Sequence, residues 1–493
     1  MRKFYIIILL VVASIATSCK GDSEFDYTNA IPKDAAMVAR VNIRTMLEKS
    51  GVGSSDEVKH HIQDAFSSGR SAQIQSLIGD ILDDLDNSGL DLTAPIYLAS
   101  YGDKAAQYMA VAKISDSEKF NSVLGALKDD GKCQGVVSHG DYSSAVVVDC
   151  GLEIAYNEYA AVIASDSADF KTMLSRPESE SINSSKLFEK MGDMHYDVEL
   201  MICWQPYIDA LELDKLGDEN IINSLIMSAL DFNDVYSLAG LNFDIGAVSL
   251  YSELHSENDK TAQLFENLLA IHTPLNGRFN HFNDMSTSAM AVAGINGKEL
   301  YSRIGDYIRI KGEKHGLKPK EIDILGNIIA SFNGDLNIAQ TSDNQIKAYA
   351  ALTSAEQGRK IIESVQEQVG FDLGYENSAY MGIIADMFYF TTSRNEYQNI
   401  DEPYSPSMKD IEFKNTSDDN IIMCYMAESY LIKTLSAHTK TKELSEKIAA
   451  TNQLNHIEFF VDKSGHAEIN IVLKEKDINA LRAICQSIEI PIN

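Results

Sequence analysis

Apolar residues recur along this chain in two rhythms, short strand-length runs and longer stretches at helical spacing, and the two alternate from about residue 37 onward. Tyr108 to Ile114 is one strand-like run. Ser115-Asp116-Ser117-Glu118 follows it as a capping box, in which a hydroxyl and a carboxylate satisfy free backbone donors at a helix start. Val123, Leu124 and Leu127 then fall on one helical stripe. The same order returns 238 residues later, with Ile346 to Leu352, then Thr353-Ser354-Ala355-Glu356, then Ile361, Ile362 and Val365. The pattern predicts one strand-to-helix module in two places.

Other segments match in the same order. Val38-Ala39-Arg40-Val41-Asn42 corresponds to Val292-Ala293-Gly294-Ile295-Asn296, and Ile78 to Leu82 corresponds to Leu325 to Ile329. Ser165, Asp169 and Phe170 fall on Thr392, Glu396 and Tyr397. Leu200-Met201-Ile202-Cys203-Trp204 falls on Ile421-Ile422-Met423-Cys424-Tyr425. Strand positions Val248 and Leu250 match Ile469 and Ile471. The stripe Ala262, Phe265, Leu268 and Leu269 matches Ile478, Leu481, Ile484 and Cys485. The spacing between partners falls from 254 to 216, as expected when loops shorten in one of two copies. Strand pairs with short turns, each followed by a capped helix, place the chain in the α+β class. The expected architecture is two tandem, divergent copies of an antiparallel-sheet domain with helices packed on one face, spanning residues 31–272 and 285–493. The boundary near His272 to Asp284 carries the turn residues Thr273-Pro274-Leu275-Asn276-Gly277.

The start of the chain changes the picture. Arg2 and Lys3 precede the apolar run Phe4 to Ala16, and Ala16-Thr17-Ser18-Cys19 closes it. A basic start, an apolar core too short to span a bilayer and small residues before a cysteine form a lipoprotein signal. Residues 1–18 are then a signal peptide, Cys19 the lipidated first residue, and residues 19–30 an anchor and linker. The chain carries 72 Asp and Glu against 42 Lys and Arg, a net charge of −30, which disfavours nucleic acid and anionic lipid surfaces. Membrane attachment is therefore expected through the acyl chains of Cys19 rather than a basic patch.

The lipobox cysteine, the nearby Ile31-Pro32-Lys33-Asp34-Ala35 before the first strand and the two-copy layout resemble an uncharacterised lipoprotein family of Bacteroidota built from a domain of unknown function. The resemblance implies export and anchoring as an outer membrane lipoprotein, and it supplies no catalytic residues. In that phylum acidic residues soon after the lipidated cysteine resemble a surface-transport signal. Lys20-Gly21-Asp22-Ser23-Glu24 matches it in part, which leaves the periplasmic and cell-surface faces both open.

Candidate chemistry is sparse. Cys133 and Cys150 flank a hairpin-like stretch around His139-Gly140-Asp141 and are the expected disulfide, with two unpaired thiols as the alternative. Cys203, Cys424 and Cys485 read as small core residues. Asp84-Leu85-Asp86-Asn87-Ser88-Gly89 has the spacing of the first half of a calcium loop, but Pro95 stands where the bidentate glutamate belongs, so a solvated helix end is expected. Gly294-Ile295-Asn296-Gly297-Lys298 lacks the first glycine and the hydroxyl of a phosphate loop. His60 and His61 point to different faces of any helix and do not share a metal. Trp204 is expected to pack in the core. No cofactor or metal is expected. Two function classes follow. The first is a non-catalytic binding or structural protein of the cell envelope with a protein or small-ligand partner, seated in a cleft between the copies. The alternative is an exported hydrolase with a site assembled from distant residues.

Overall fold

The computed structural model describes residues 26–52, 59, 60, 63, 71–101, 107–148, 150–205, 235–256, 258–314, 316, 318–360, 363, 380–437 and 453–487. Residues 1–25 with Cys19, and His61, Ile361, Ile362 and Val365, lie outside the described residues. The chain divides into two compact units, Met1–Thr261 together with Glu475–Asn493, and Ala262–Lys474.

In the first unit β1 (Met37–Val41) leads into α1 (Ile43–Ser50) and α2 (Ala72–Asp83). Then come β2 (Ile96–Tyr101), β3 (Gln107–Lys113) and α3 (Ser117–Asp129). The hairpin strands β4 (Val137–Ser138) and β5 (Ser143–Val147) precede β6 (Leu152–Tyr156), β7 (Ala160–Ser165), α4 (Phe170–Leu174) and α5 (Lys186–Gly192). The last strands of this unit are β8 (Val198–Cys203), β9 (Val235–Asp244) and β10 (Ala247–Ser256). All neighbours are antiparallel, in the order β4-β5-β6-β7-β3-β2-β1-β8-β9-β10.

Helix α6 (Asp259–Leu269) leads into the second unit. There β11 (Ala289–Asn296) is followed by α7 (Gly297–Lys314), α8 (Pro319–Ser331), β12 (Phe332–Gln340), β13 (Ile346–Leu352) and α9 (355–360). Next are β14 (Tyr380–Ile384), β15 (Met387–Thr391), α10 (Arg394–Gln398), β16 (Asn420–Ala427), α11 (Glu428–Ser436), β17 (Leu454–Asp462) and β18 (Ala467–Leu473). Strand order is β14-β15-β13-β12-β11-β16-β17-β18, again antiparallel throughout. Helix α12 (Ala480–Ser487) returns to the first unit.

The mixed helix and strand composition and the dominant antiparallel sheet match the expected class. The expectation of helices on one face does not hold, because elements pack on both faces of the sheet around β3 and at the end of β13. Ala112 of β3 and Ile114 just beyond it enter a core with Phe120, Val123, Leu124 and Leu127 of α3. Met109 and Val111, which point the other way, enter a second core with Tyr27, Phe170, Met173 and Met191. In β13, Tyr349 and Ala351 share a core with Phe279 and Ile400, whereas Leu352 lies against Gly358 in α9. The strand run Met109 to Ala112 is apolar without alternation, which is the pattern of a strand buried on both sides.

Both strand-to-helix modules form, with each cap one residue later than the boxes predict. Asp116 accepts from the amides of Glu118 and Lys119, and Ser354 accepts from the Gln357 amide at 3.2 Å. Ser115 and Thr353 are used elsewhere. The Ser115 amide donates to the Gly89 carbonyl and the Thr353 amide to that of Ser331, closing each loop onto a preceding helix end. Gly89 has φ +79°, and a Cβ there would run into the Phe120 amide and the Asp116 carbonyl, so α3 seats directly on it.

The Cys203 amide donates to the Ala36 carbonyl and the Ala427 amide to the Ser288 carbonyl, which carries β8 along β1 and β16 along β11 to their ends.

Cys133 and Cys150 are both buried, unbridged thiols of the first core. Cys133 pairs with Val147 across the hairpin, and Cys150 Sγ donates to the Val147 carbonyl at 3.6 Å. Cys203, Cys424 and Cys485 are half-buried rather than fully in the core. Burial lifts the Cys133 thiol from its ordinary 9.0 to about 11, and the neighbouring Cys150 adds to the rise. Below pH 9 the thiol keeps its proton in the folded and unfolded chain alike. Between pH 9 and 11 only the unfolded chain releases it, so folding stability falls across that window. The reduced protein should lose stability from pH 9 to 11 in urea titrations, and Cys133→Ala should flatten that decline. An unchanged slope in the variant would contradict the burial of this thiol.

Candidate functional site

Strand interiors are built from apolar residues, so a charged residue inside one has to find its partner within the fold. Arg40 on β1 and Glu199 on β8 are cross-strand neighbours, and the guanidinium Nη1 lies 2.7 Å from Glu199 Oε2. Arg40 also donates to Gly192 O at 2.9 Å, and the Tyr196 amide donates to Glu199 Oε1 at 2.9 Å. Burial raises the Glu199 carboxyl above its ordinary range and Arg40 opposes the rise. Tyr97 faces Arg40 from β2 and is pushed up to about 12, chiefly by burial. Its ring lies between Tyr27 and Phe188, 5.9 and 5.5 Å away. Beside this group Lys49 Nζ is 2.6 Å from the buried Asp197, which also accepts from the Phe243 amide at 2.7 Å.

The second unit holds two such groups. Lys347 on β13 has no exposed surface. Its Nζ donates to Glu396 Oε2 at 2.8 Å and Phe282 O at 3.1 Å, and it stands 4.6 Å from the Tyr404 ring centre. Tyr404 donates to the same Glu396 oxygen at 2.8 Å, and Tyr349 donates to Ile400 O. Burial pushes both phenols far above their ordinary range, with Glu396 adding to each. The bonds from Lys347 and Tyr349 tie the 279–282 turn and the 396–404 segment to the sheet, and the Tyr404–Glu396 bond braces that segment internally.

The other group lies across β16, β17 and β18. His456 Nε2 and Glu458 Oε1 are 2.9 Å apart, and the Lys414 amide donates to Glu458 Oε2 at 3.0 Å. Asn470, opposite Glu458, donates to Glu468 Oε1 at 2.7 Å, and Asn415 donates to Glu468 Oε2 at 2.6 Å. Asn420 donates to Asn415 Oδ1 at 3.0 Å. The Oδ1 atoms of Asn420 and Asn470 are buried without a hydrogen-bond partner among the described residues. The cluster is rich in acceptors and poor in donors, chemistry that suits water, an amine or a hydroxyl.

The sequence-predicted residues fall elsewhere. Asp84 to Gly89 forms a helix end and a 3-10 turn at Leu85–Ser88, with Asn87 bonded back to Asp80 O at 3.1 Å. Gly294 and Gly297 are glycines because the Thr273 and Ile329 carbonyls pass where a Cβ would stand. Trp204 is half-buried and donates to Ser237 Oγ at 2.6 Å, short of the full core position expected of it. Among the described residues no group of three or more His, Cys, Asp or Glu is placed to hold a metal ion. No helix among them is long and apolar enough to cross a membrane. Arg40, Glu199, Lys347 and Glu458 escaped the sequence reading. Their signal was present as single charges inside apolar strand runs, but the partners of Arg40, Glu199 and Lys347 lie far along the chain, and only Glu458 has its partner, His456, close by.

The family described as a domain of unknown function (DUF4836) matches residues 27–481, and the chain belongs to it. No curated protein and no solved structure matches the chain.

Lys347→Ala should destabilise the second unit by about 3 kcal/mol or more, because Glu396 loses its buried counter-charge. Adding Glu396→Gln should recover part of the loss. Urea unfolding with a Lys347→Ala midpoint equal to the parent's would show that the pair holds nothing together.

Proposed function

We propose that this member of the family is a lipid-anchored cell-envelope protein that acts by binding or scaffolding rather than by catalysis, with Cys19 as its outer membrane anchor. The observation that carries the non-catalytic reading is how the interior charges are used. Arg40 with Glu199, Lys49 with Asp197, and Lys347 with Glu396 are ion pairs reinforced by backbone hydrogen bonds, so their charges hold strands and loops in place. The anchoring rests on the signal pattern before Cys19, followed by a short linker to the first described element at Tyr27. The partner in this reading is a protein or a small ligand.

Duplication of one ancestral unit is part of the same proposal. Without the β4–β5 hairpin, the strand order of the first unit becomes that of the second, element for element. The turn after Tyr27 is tied to its unit by the Ile182 amide on Ile31 O, as the turn after Phe279 is tied by the Met408 amide on Asn283 O. Among the described residues the hairpin is seen in the first unit, where Cys133 and Cys150 flank it. Their shared core supports a bridge between them in an oxidising compartment, and a bridged chain would lack the alkaline loss described above.

An exported hydrolase is the second reading, favoured at one place, the buried His456–Glu458 pair beside Asn470. Both readings meet one set of measurements. Cys19→Ser should remove acyl chains by mass spectrometry and move the protein out of the membrane fraction, and retention there with acylation would refute the anchor. The chain lacking residues 1–19 should turn over no peptide, glycan or ester. Turnover that disappears in His456→Ala would overturn the binding reading.

A further inference from the structure

The end of the chain does not stay with the strands that precede it. Strand β18 ends at Leu473 in the second unit, whereas residues from Glu475 onward group with the first. We infer that Glu475–Ser487 is a strap that completes the first unit, so that the region around α1 and the β9–β10 turn becomes stable only when the end of the chain has docked.

Backbone bonding, a side-chain cap, a close backbone approach and apolar packing carry this. The Gly246 amide, in the β9–β10 turn, donates to Ile478 O at 2.9 Å, and Ile245 pairs with Asn479 as an antiparallel bridge. Asn479 works in two directions, its Nδ2 donating to Phe243 O at 2.6 Å and its Oδ1 accepting from the Leu481 amide at 3.0 Å. One side chain therefore both starts α12 and fastens it to β9. Gly246 has φ +71°, and a Cβ there would lie 2.9 Å from Lys476 Cα and O, so the strap passes too close for any side chain. Ala480 and Ala483 are 0% and 1% exposed, and Cys485 packs on the core that also receives Ile43 and Leu47 of α1.

The unit's own next helix does not take this place. From Ala262 onward α6 belongs to the second unit, where Leu269 lies 3.2 Å from the Cβ position of Gly465 in the β17–β18 turn. Each glycine turn is thus covered from a distant part of the chain, Gly246 by the segment leading into α12 and Gly465 by α6. Contacts this remote in sequence carry a large loop-closure cost and form late. During synthesis the first unit waits for Glu475–Ser487.

Amide exchange at Gly246 reads the strap directly, because its partner is Ile478 O. In the full chain, Ala483→Glu should speed exchange of the Gly246 amide and of α1 at least tenfold, while β16–β18 keep parent protection. Asn479→Ala, a milder change, should produce a smaller acceleration at the same places. Should Ala483→Glu unfold everything, Asn479→Ala decides alone. Acceleration confined to α1 and the β9–β10 turn supports the strap, and acceleration equal in both units or absent at Gly246 overturns it.

Discussion

Covering an antiparallel sheet on both faces is the constraint from which most of this structure follows. Neighbouring residues of β3, Val111 and Ala112, point in opposite directions and both are buried. Strands under that demand have no face left for polar residues, so Met, Val and Ala fill positions that alternation would give to polar side chains. Small side chains such as Ala99, Ala155, Ala160 and Ala164 then let the 3-10 turn at Tyr27–Ala30 and the short helix α4 come close to the sheet.

The same constraint explains the paired charges. A polar side chain that remains inside such a sheet loses its water and needs a partner. Arg40 meets Glu199 on the adjacent strand, while Lys347 meets Glu396 and the Phe282 carbonyl from the segments above it. Replacing such pairs with apolar residues is often neutral for stability, so their value here lies in fixing which loop closes over which strand. Asp335 fits the pattern, since its buried carboxylate accepts the amides of Asn276 and Arg278 and pins the 276–278 turn.

How legible this was depended on sequence distance. The strand-to-helix modules around residues 108–129 and 346–360 could be read because strand, cap and stripe are consecutive. Their caps shifted by one residue because Ser115 and Thr353 bond to Gly89 O and Ser331 O, contacts no local rule contains. The antiparallel class followed from strand pairs with short turns, but the spatial order of the strands and the face each one buries did not. The run Met109 to Ala112 shows two-sided burial in its unbroken apolarity, yet it was assigned to a sheet with one covered face. The buried pairs were invisible because Arg40 and Glu199 are 159 residues apart. The strap was hidden more deeply still, since the stripe in α12 looks like any amphipathic helix and says nothing about which unit receives it.

Hydroxyl-radical footprinting of the native chain tests two-sided burial most directly, because both faces carry reactive side chains. Met109, Met173 and Met191 report on one face and Phe120 and Tyr156 on the other, all at most 8% exposed, against Tyr108 at 50% as the exposed reference. Both sets should be oxidised far more slowly, relative to their intrinsic reactivity, than Tyr108. Oxidation of either set at the relative rate of Tyr108 would mean that one face of the sheet is open, and the account of paired interior charges would lose its basis.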